Sequence, residues 1–134
     1  MAKIRRPINP PDLFNSVQFG FSQIMVSQGQ TSIHLSGQVG WDENGEIIGP
    51  GDMGIQARAT MENIKRALAH ANAALTDVVS MRIYFVEHAR DQNSEITTTL
   101  KEYFPEDPPV TTWIGVTSLA NLDFLIEIEA VAVV

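Results

Sequence analysis

The chain has no cysteine, only nine basic residues against sixteen acidic ones, and few aromatics: two Trp, two Tyr and six Phe in 134 residues. Without cysteine there is no disulfide, no thiolate nucleophile and no Cys-based zinc site, a composition that fits a reducing compartment. The basic residues cluster only at Lys3, Arg5 and Arg6, and the net charge is -7. A nucleic-acid binder normally shows a basic stripe, so no nucleic-acid partner is expected. Pro7, Pro10 and Pro11 follow the basic cluster where a leader would have an apolar run. The expectation is a cytoplasmic protein with no secretory leader and no membrane partner. His34, His70 and His88 lack metal-ligand spacing with carboxylates, so neither a metal nor a cofactor is expected. His34 and Ser36 share a strand face without an acidic orienter, which argues against a Ser-His nucleophile.

What is present is the composition of a globular chain, 44% hydrophobic and 19% charged, in one domain over 1–134. Residues 1–16 read as an extended, proline-rich segment. Strands are predicted over Phe19–Val26 and Ser32–Trp41, with a return from Glu46 to Ile48 across the Asn44-Gly45 turn. Asp52 is placed to cap a helix whose apolar face is Ala57, Met61, Ile64, Leu68, Ala71 and Leu75. A strand over Val78–Val86, a helix over Gln92–Phe104, and strands over Val110–Leu119 and Leu125–Val133 complete an α+β order, β-β-β-α-β-α-β-β.

Alternation along these strands predicts two unlike faces. One face takes Val79, Met81, Ile83, Phe85, then Val110, Thr112, Ile114, Val116, then Ile126, Ile128, Ala130, Ala132, and is expected to meet both helices. The other takes Arg82, Tyr84 and Val86 with Thr111, Trp113 and Gly115, and with Glu127, Glu129 and Val131. Two helices cannot cover both faces, so association through the second face is expected. The Glu127/Glu129 pair reads either as an acid/base site or as an interface ion pair with Arg82. Gly37 reads either as a place of close ligand approach or as a bulge or tightly packed position. Trp113 is a ligand-stacking or a buried interface aromatic.

The order and spacing of several short motifs add to this reading. They are Gly20-Phe21-Ser22-Gln23, Ser36-Gly37-Gln38-Val39, the Asp42–Gly45 turn, Gln56-Ala57 leading into Met61-Glu62-Asn63, Asp77-Val78-Val79, Tyr84, Pro108-Pro109 and Ile126-Glu127-Ile128-Glu129-Ala130. From about Phe19 onward the chain resembles the YjgF-type reactive-intermediate-deaminase (Rid) family. The resemblance implies a chorismate-mutase-like (YjgF-like) fold, two helices on one face of a sheet, and a homotrimer packed through its sheets with clefts between subunits. In archetypal members these clefts hydrolyse 2-imino or enamine acids to a 2-keto acid and ammonia. A glutamate at the position of Glu127 helps place or activate water there. Cleft walls come from the positions of Phe21, Ser36, Gly37, Val39 and Trp113.

One position departs from that pattern. Thr111 stands where the archetype carries an arginine that grips a substrate carboxylate, and a threonine has no charged fork. That loss is worth about 3 kcal/mol, roughly a hundredfold in affinity. The expected function is therefore binding of, or action on, a small metabolite other than a standard 2-imino acid. The alternatives are a non-catalytic ligand- or protein-binding trimer, and a 2-iminobutanoate/2-iminopropanoate-type deaminase in which Arg82 replaces the missing cation. The acidic balance gives an endoribonuclease reading no support.

Overall fold

The structure, a computed structural model, describes residues 2–134; Met1, the first residue of the expected extended segment, lies outside the described residues. The α+β fold expected from the sequence is present, arranged as two sheets instead of one. A four-stranded sheet runs β3 (Ser32–Gln38), β6 (Ile126–Val133), β4 (Val78–Val86), β5 (Val110–Val116), with β4 and β5 parallel and the other pairs antiparallel. A separate ribbon pairs β1 (Ile4–Ile8) with β2 (Ile24–Gln28). The extended N-terminal segment is thus partly a strand. Pro7 is tolerated because β1 is an edge, where a missing N–H is not needed.

Helix α1 (Met53–His70) starts where Asp52 accepts a hydrogen bond from the Ile55 N–H at 3.0 Å. Its buried face is Ala57, Met61, Ile64 and Leu68, and the predicted Ala71 and Leu75 fall beyond its end. Helix α2 (Ser94–Tyr103) is shorter than predicted because a 3-10 segment, Glu87–Gln92, precedes it. Its threonines are accommodated by bonding back along the helix, Thr98 Oγ1 to the Ser94 carbonyl and Thr99 Oγ1 to the Glu95 carbonyl.

Two local predictions need correction. The strand expected over Phe19–Val26 begins only at Ile24; before it, Val17–Phe19 forms a 3-10 turn. Ser16 Oγ donates to the Phe21 carbonyl, and Gly20 closes the turn at φ +91°, a conformation that side-chain-bearing residues rarely adopt. The Glu46–Ile48 return is reduced to one bridge, Trp41 to Ile47. The Asp42 carboxylate instead binds the turn itself, accepting from the N–H groups of Asn44 and Glu46, both at 2.9 Å.

The main correction concerns β5. Cross-strand partners share a face, and β5 pairs Thr111 with Met81, Trp113 with Ile83 and Gly115 with Phe85. Thr111, Trp113 and Gly115 therefore lie on the helix-covered face, and Thr112 and Ile114 on the open one with Arg82 and Tyr84. Assignments for β4 and β6 stand, with Met81, Ile83, Ile126, Ile128, Ala130 and Ala132 all buried. The sequence misleads at β5 because both of its faces, Gly115 apart, are β-branched or aromatic, and at an edge strand neither face is fully buried. Val86, expected on the open face, is fully buried at the end of β4.

Candidate functional site

The residues singled out in the sequence fall into two groups on opposite faces of the sheet. On the open face, β6 presents Glu127 and Glu129, and β3 bulges between Leu35 and Gln38 so that Gly37 lies over Glu127. A Cβ at position 37 would fall within the Glu127 side chain, 2.9 Å from its Cγ and closer still to its carboxylate. Of the two readings of Gly37, the structure shows the second, a bulge with tight packing, and the group packed against it is Glu127. Ser36 is exposed beside Gly37, whereas Val39 is buried, its carbonyl accepting from Asn63 Nδ2 at 2.9 Å.

The two carboxylates of β6 differ in their partners. Tyr84 Oη donates to Glu129, and Arg82 Nη1 lies 4.0 Å from the same carboxylate. The bond to Glu129 holds the Tyr84 hydroxyl above its ordinary pKa, since the proton is kept to donate. Glu127 forms no ion pair among the described residues. Burial first, and the neighbouring Glu129 charge second, push its carboxyl above the usual 4.5. The ion-pair and acid/base readings thus divide between the two residues: Glu129 is anchored to Arg82 and Tyr84, and Glu127 is the carboxylate whose proton affinity is raised.

On the other face, at the β5 edge, a cavity of about 590 Å³ is lined by Phe19, Phe21, Asn93, Ser94, Thr97, Thr111 and Trp113. The parallel bridge from Ser22 to Val110 brings Phe21 beside β5. The Phe21 and Trp113 ring centroids are 6.3 Å apart, inclined at 46°. Trp113 Nε1 donates to Thr111 Oγ1 at 3.0 Å, so the two residues form one wall. Phe19, Asn93, Ser94 and Thr97 were missed in the sequence. Phe19 was hidden by the expected strand, while Asn93 and Thr97 are four residues apart, the spacing that puts two side chains on one helix face.

Within one protomer the two groups do not meet. β4 lies between β5 and β6, and the groups face opposite sides. Arg82, expected as the substitute cation beside Thr111, is on the Glu129 side of the sheet and does not reach that cavity. Arg90 is a cation near the Thr111 side, but it is engaged over the Phe85 ring at 5.3 Å and lies 3.9 Å from Glu87. Among the described residues no cluster of three or more His, Asp or Glu side chains is placed to hold a metal, and no helix is long and apolar enough to cross a membrane.

Residues 16–134 match the family model described as Endoribonuclease L-PSP. The chain is 32% identical over 109 residues to 3-aminoacrylate deaminase RutC of Acinetobacter baylyi, covering 81% of this chain and 84% of that protein. Its fold is similar to a crystal structure of YyfB from Yersinia pestis, a protein of unknown function of the conserved Rid family. The TM-score is 0.91 at 38% identity, covering 97% of this chain and 98% of that one. Escherichia coli TdcF with bound serine is also similar, with a TM-score of 0.68 at 29% identity, covering 77% of this chain and 80% of that one.

Proposed function

Because this chain belongs to the Endoribonuclease L-PSP family, the YjgF/Rid family, we propose that it works as a homotrimer with small-molecule clefts between subunits, acting on or binding a small metabolite other than a standard 2-imino acid. The observation that carries this reading is the division of the site. Glu127 under Gly37 and the Phe21–Thr111–Trp113 wall lie on opposite faces of one protomer. A neighbour packed on the open face can bring its own β5 edge to this Glu127. The open face is suited to such packing, since Tyr84, Ile114, Val131 and Val133 are only half-buried there.

The chemistry available to such a cleft is proton transfer to and from water. A carboxyl whose pKa is raised by burial, seated against the bulge at Gly37, can take up and return a proton in such a cleft. Adding water across a C=N bond and expelling ammonia needs that kind of group and no metal. The similarity to RutC supports deaminase-type hydrolysis as the chemistry. Thr111 separates the chain from substrates held through a carboxylate, because neither it nor its cavity neighbours carries charge. An endoribonuclease role is not favoured: the net charge is -7, and phosphate contacts supply most nonspecific affinity for nucleic acid.

A thermal-shift screen of a metabolite panel tests the reading, with Glu127→Gln run in parallel. We expect saturable stabilisation by at least one small metabolite, altered in Glu127→Gln. No stabilisation by any compound, with a protein partner captured on the open face instead, would favour the non-catalytic protein-binding alternative.

A further inference from the structure

We infer that the cavity at the β5 edge is an aromatic slot for an uncharged, planar ligand, and that Phe19 is a specificity-determining residue of that slot. This deepens the small-molecule reading and rests on it. Three of the seven lining residues are aromatic, and the other four are Asn93, Ser94, Thr97 and Thr111, which carry amide or hydroxyl groups and no charge. A volume of about 590 Å³ suits a compound of one or two rings. From the residues of its own protomer a ligand carboxylate seated here would lose its water and gain no cation, because Arg82 is on the far face and Arg90 is held by Phe85 and Glu87. An uncharged amide, imine or enamine loses far less on entering, and the three hydroxyls and one amide can pair its polar atoms.

The rings offer flat apolar faces for a planar group to lie against. Phe21 and Trp113 incline at 46° and form one wall. Phe19 stands on the 3-10 turn Val17–Phe19, which the Ser16 hydrogen bond and Gly20 hold in place. Its ring is stacked on Phe14 at 5.7 Å and 18°, yet it remains 43% exposed. The Phe14 stack fixes the ring's orientation and leaves surface free for a ligand to cover.

The test uses Trp41→Phe protein, in which Trp113 is the one tryptophan, titrated with two probes of equal shape, phenylacetamide and phenylacetate. Saturable quenching of Trp113 by phenylacetamide, at least about tenfold tighter than by phenylacetate, supports the slot. Adding Phe19→Ala should weaken phenylacetamide about tenfold with little change in Tm, since Phe19 is exposed. A purely structural Phe19 would instead lower Tm, or leave probe affinity unchanged, and either result removes its assigned role. Equal or tighter binding of phenylacetate overturns the uncharged class while leaving the small-molecule reading intact. Saturable binding of neither probe overturns the slot, and the small-molecule reading falls only if the metabolite panel also fails.

Discussion

Glu127 and Thr111 carry most of the functional argument, and each makes a different kind of prediction. The Glu127 carboxyl titrates above 4.5 in the folded chain, so between its unfolded and folded pKa values the native state binds more protons. Its contribution to stability is therefore lost as pH rises through that window, and the ionised form costs stability at neutral pH. Glu127→Gln should unfold at a temperature no lower than the parent at pH 7, with the difference closing below pH 4.5. Any turnover that depends on this proton should fall about a hundredfold or more in the same variant. Thermal melts across pH, paired with turnover of a hit from the panel, check both parts.

At Thr111 the prediction concerns a pair. Deamination of imino acids from a coupled amino-acid oxidase should be slow in the parent, because Thr111 cannot hold a carboxylate. Thr111→Arg removes the hydroxyl that accepts from Trp113 Nε1 and puts the guanidinium against the indole. Thr111→Arg with Trp113→Cys should therefore exceed either single change in 2-keto acid and ammonia release. The non-additivity should be about 1 kcal/mol, as expected for residues sharing one cavity. Fast turnover by the unmodified protein would show that another group anchors the carboxylate.

At the scale of elements, Gln56 ties α1 to the chain entering β6. It is fully buried, its Nε2 donates to the Gly49 and Asp123 carbonyls, and its Oε1 accepts from the Leu125 N–H at 2.9 Å. Gln56→Ala leaves the Asp123 carbonyl and the Leu125 N–H without their side-chain partner, while the Gly49 carbonyl keeps the Asp52 N–H, and it opens a void, at a cost of about 2–4 kcal/mol. Scanning calorimetry should record a Tm lower by on the order of 10 °C. How much was legible in the sequence also divides by element. The bounds of β4 are legible, and so are the buried faces of β6 and of the middle of β4, because their neighbours on each side enforce alternation there; it breaks at the ends of β4, where Val78 and Val86 are buried too. The face of β5 is not legible, because its alternate positions are chemically alike and its register is set by parallel pairing to β4, which no local pattern encodes. The same non-local pairing hid the cavity, whose walls come from the 3-10 turn, α2 and β5 together.

For the whole molecule, the candidate site was legible as a set of residues but not as a place. Glu127, Gly37, Phe21, Thr111 and Trp113 were all singled out in the sequence, and the protomer sets them on two faces. The account therefore depends on association through the open sheet, where β6 and β4 present Glu127, Tyr84 and Val131 to a neighbour. Sedimentation equilibrium at micromolar concentration tests this most directly. A mass three times the chain's 14.8 kDa is the predicted result, and a stable monomer or dimer would contradict both the assembly and the cleft between subunits.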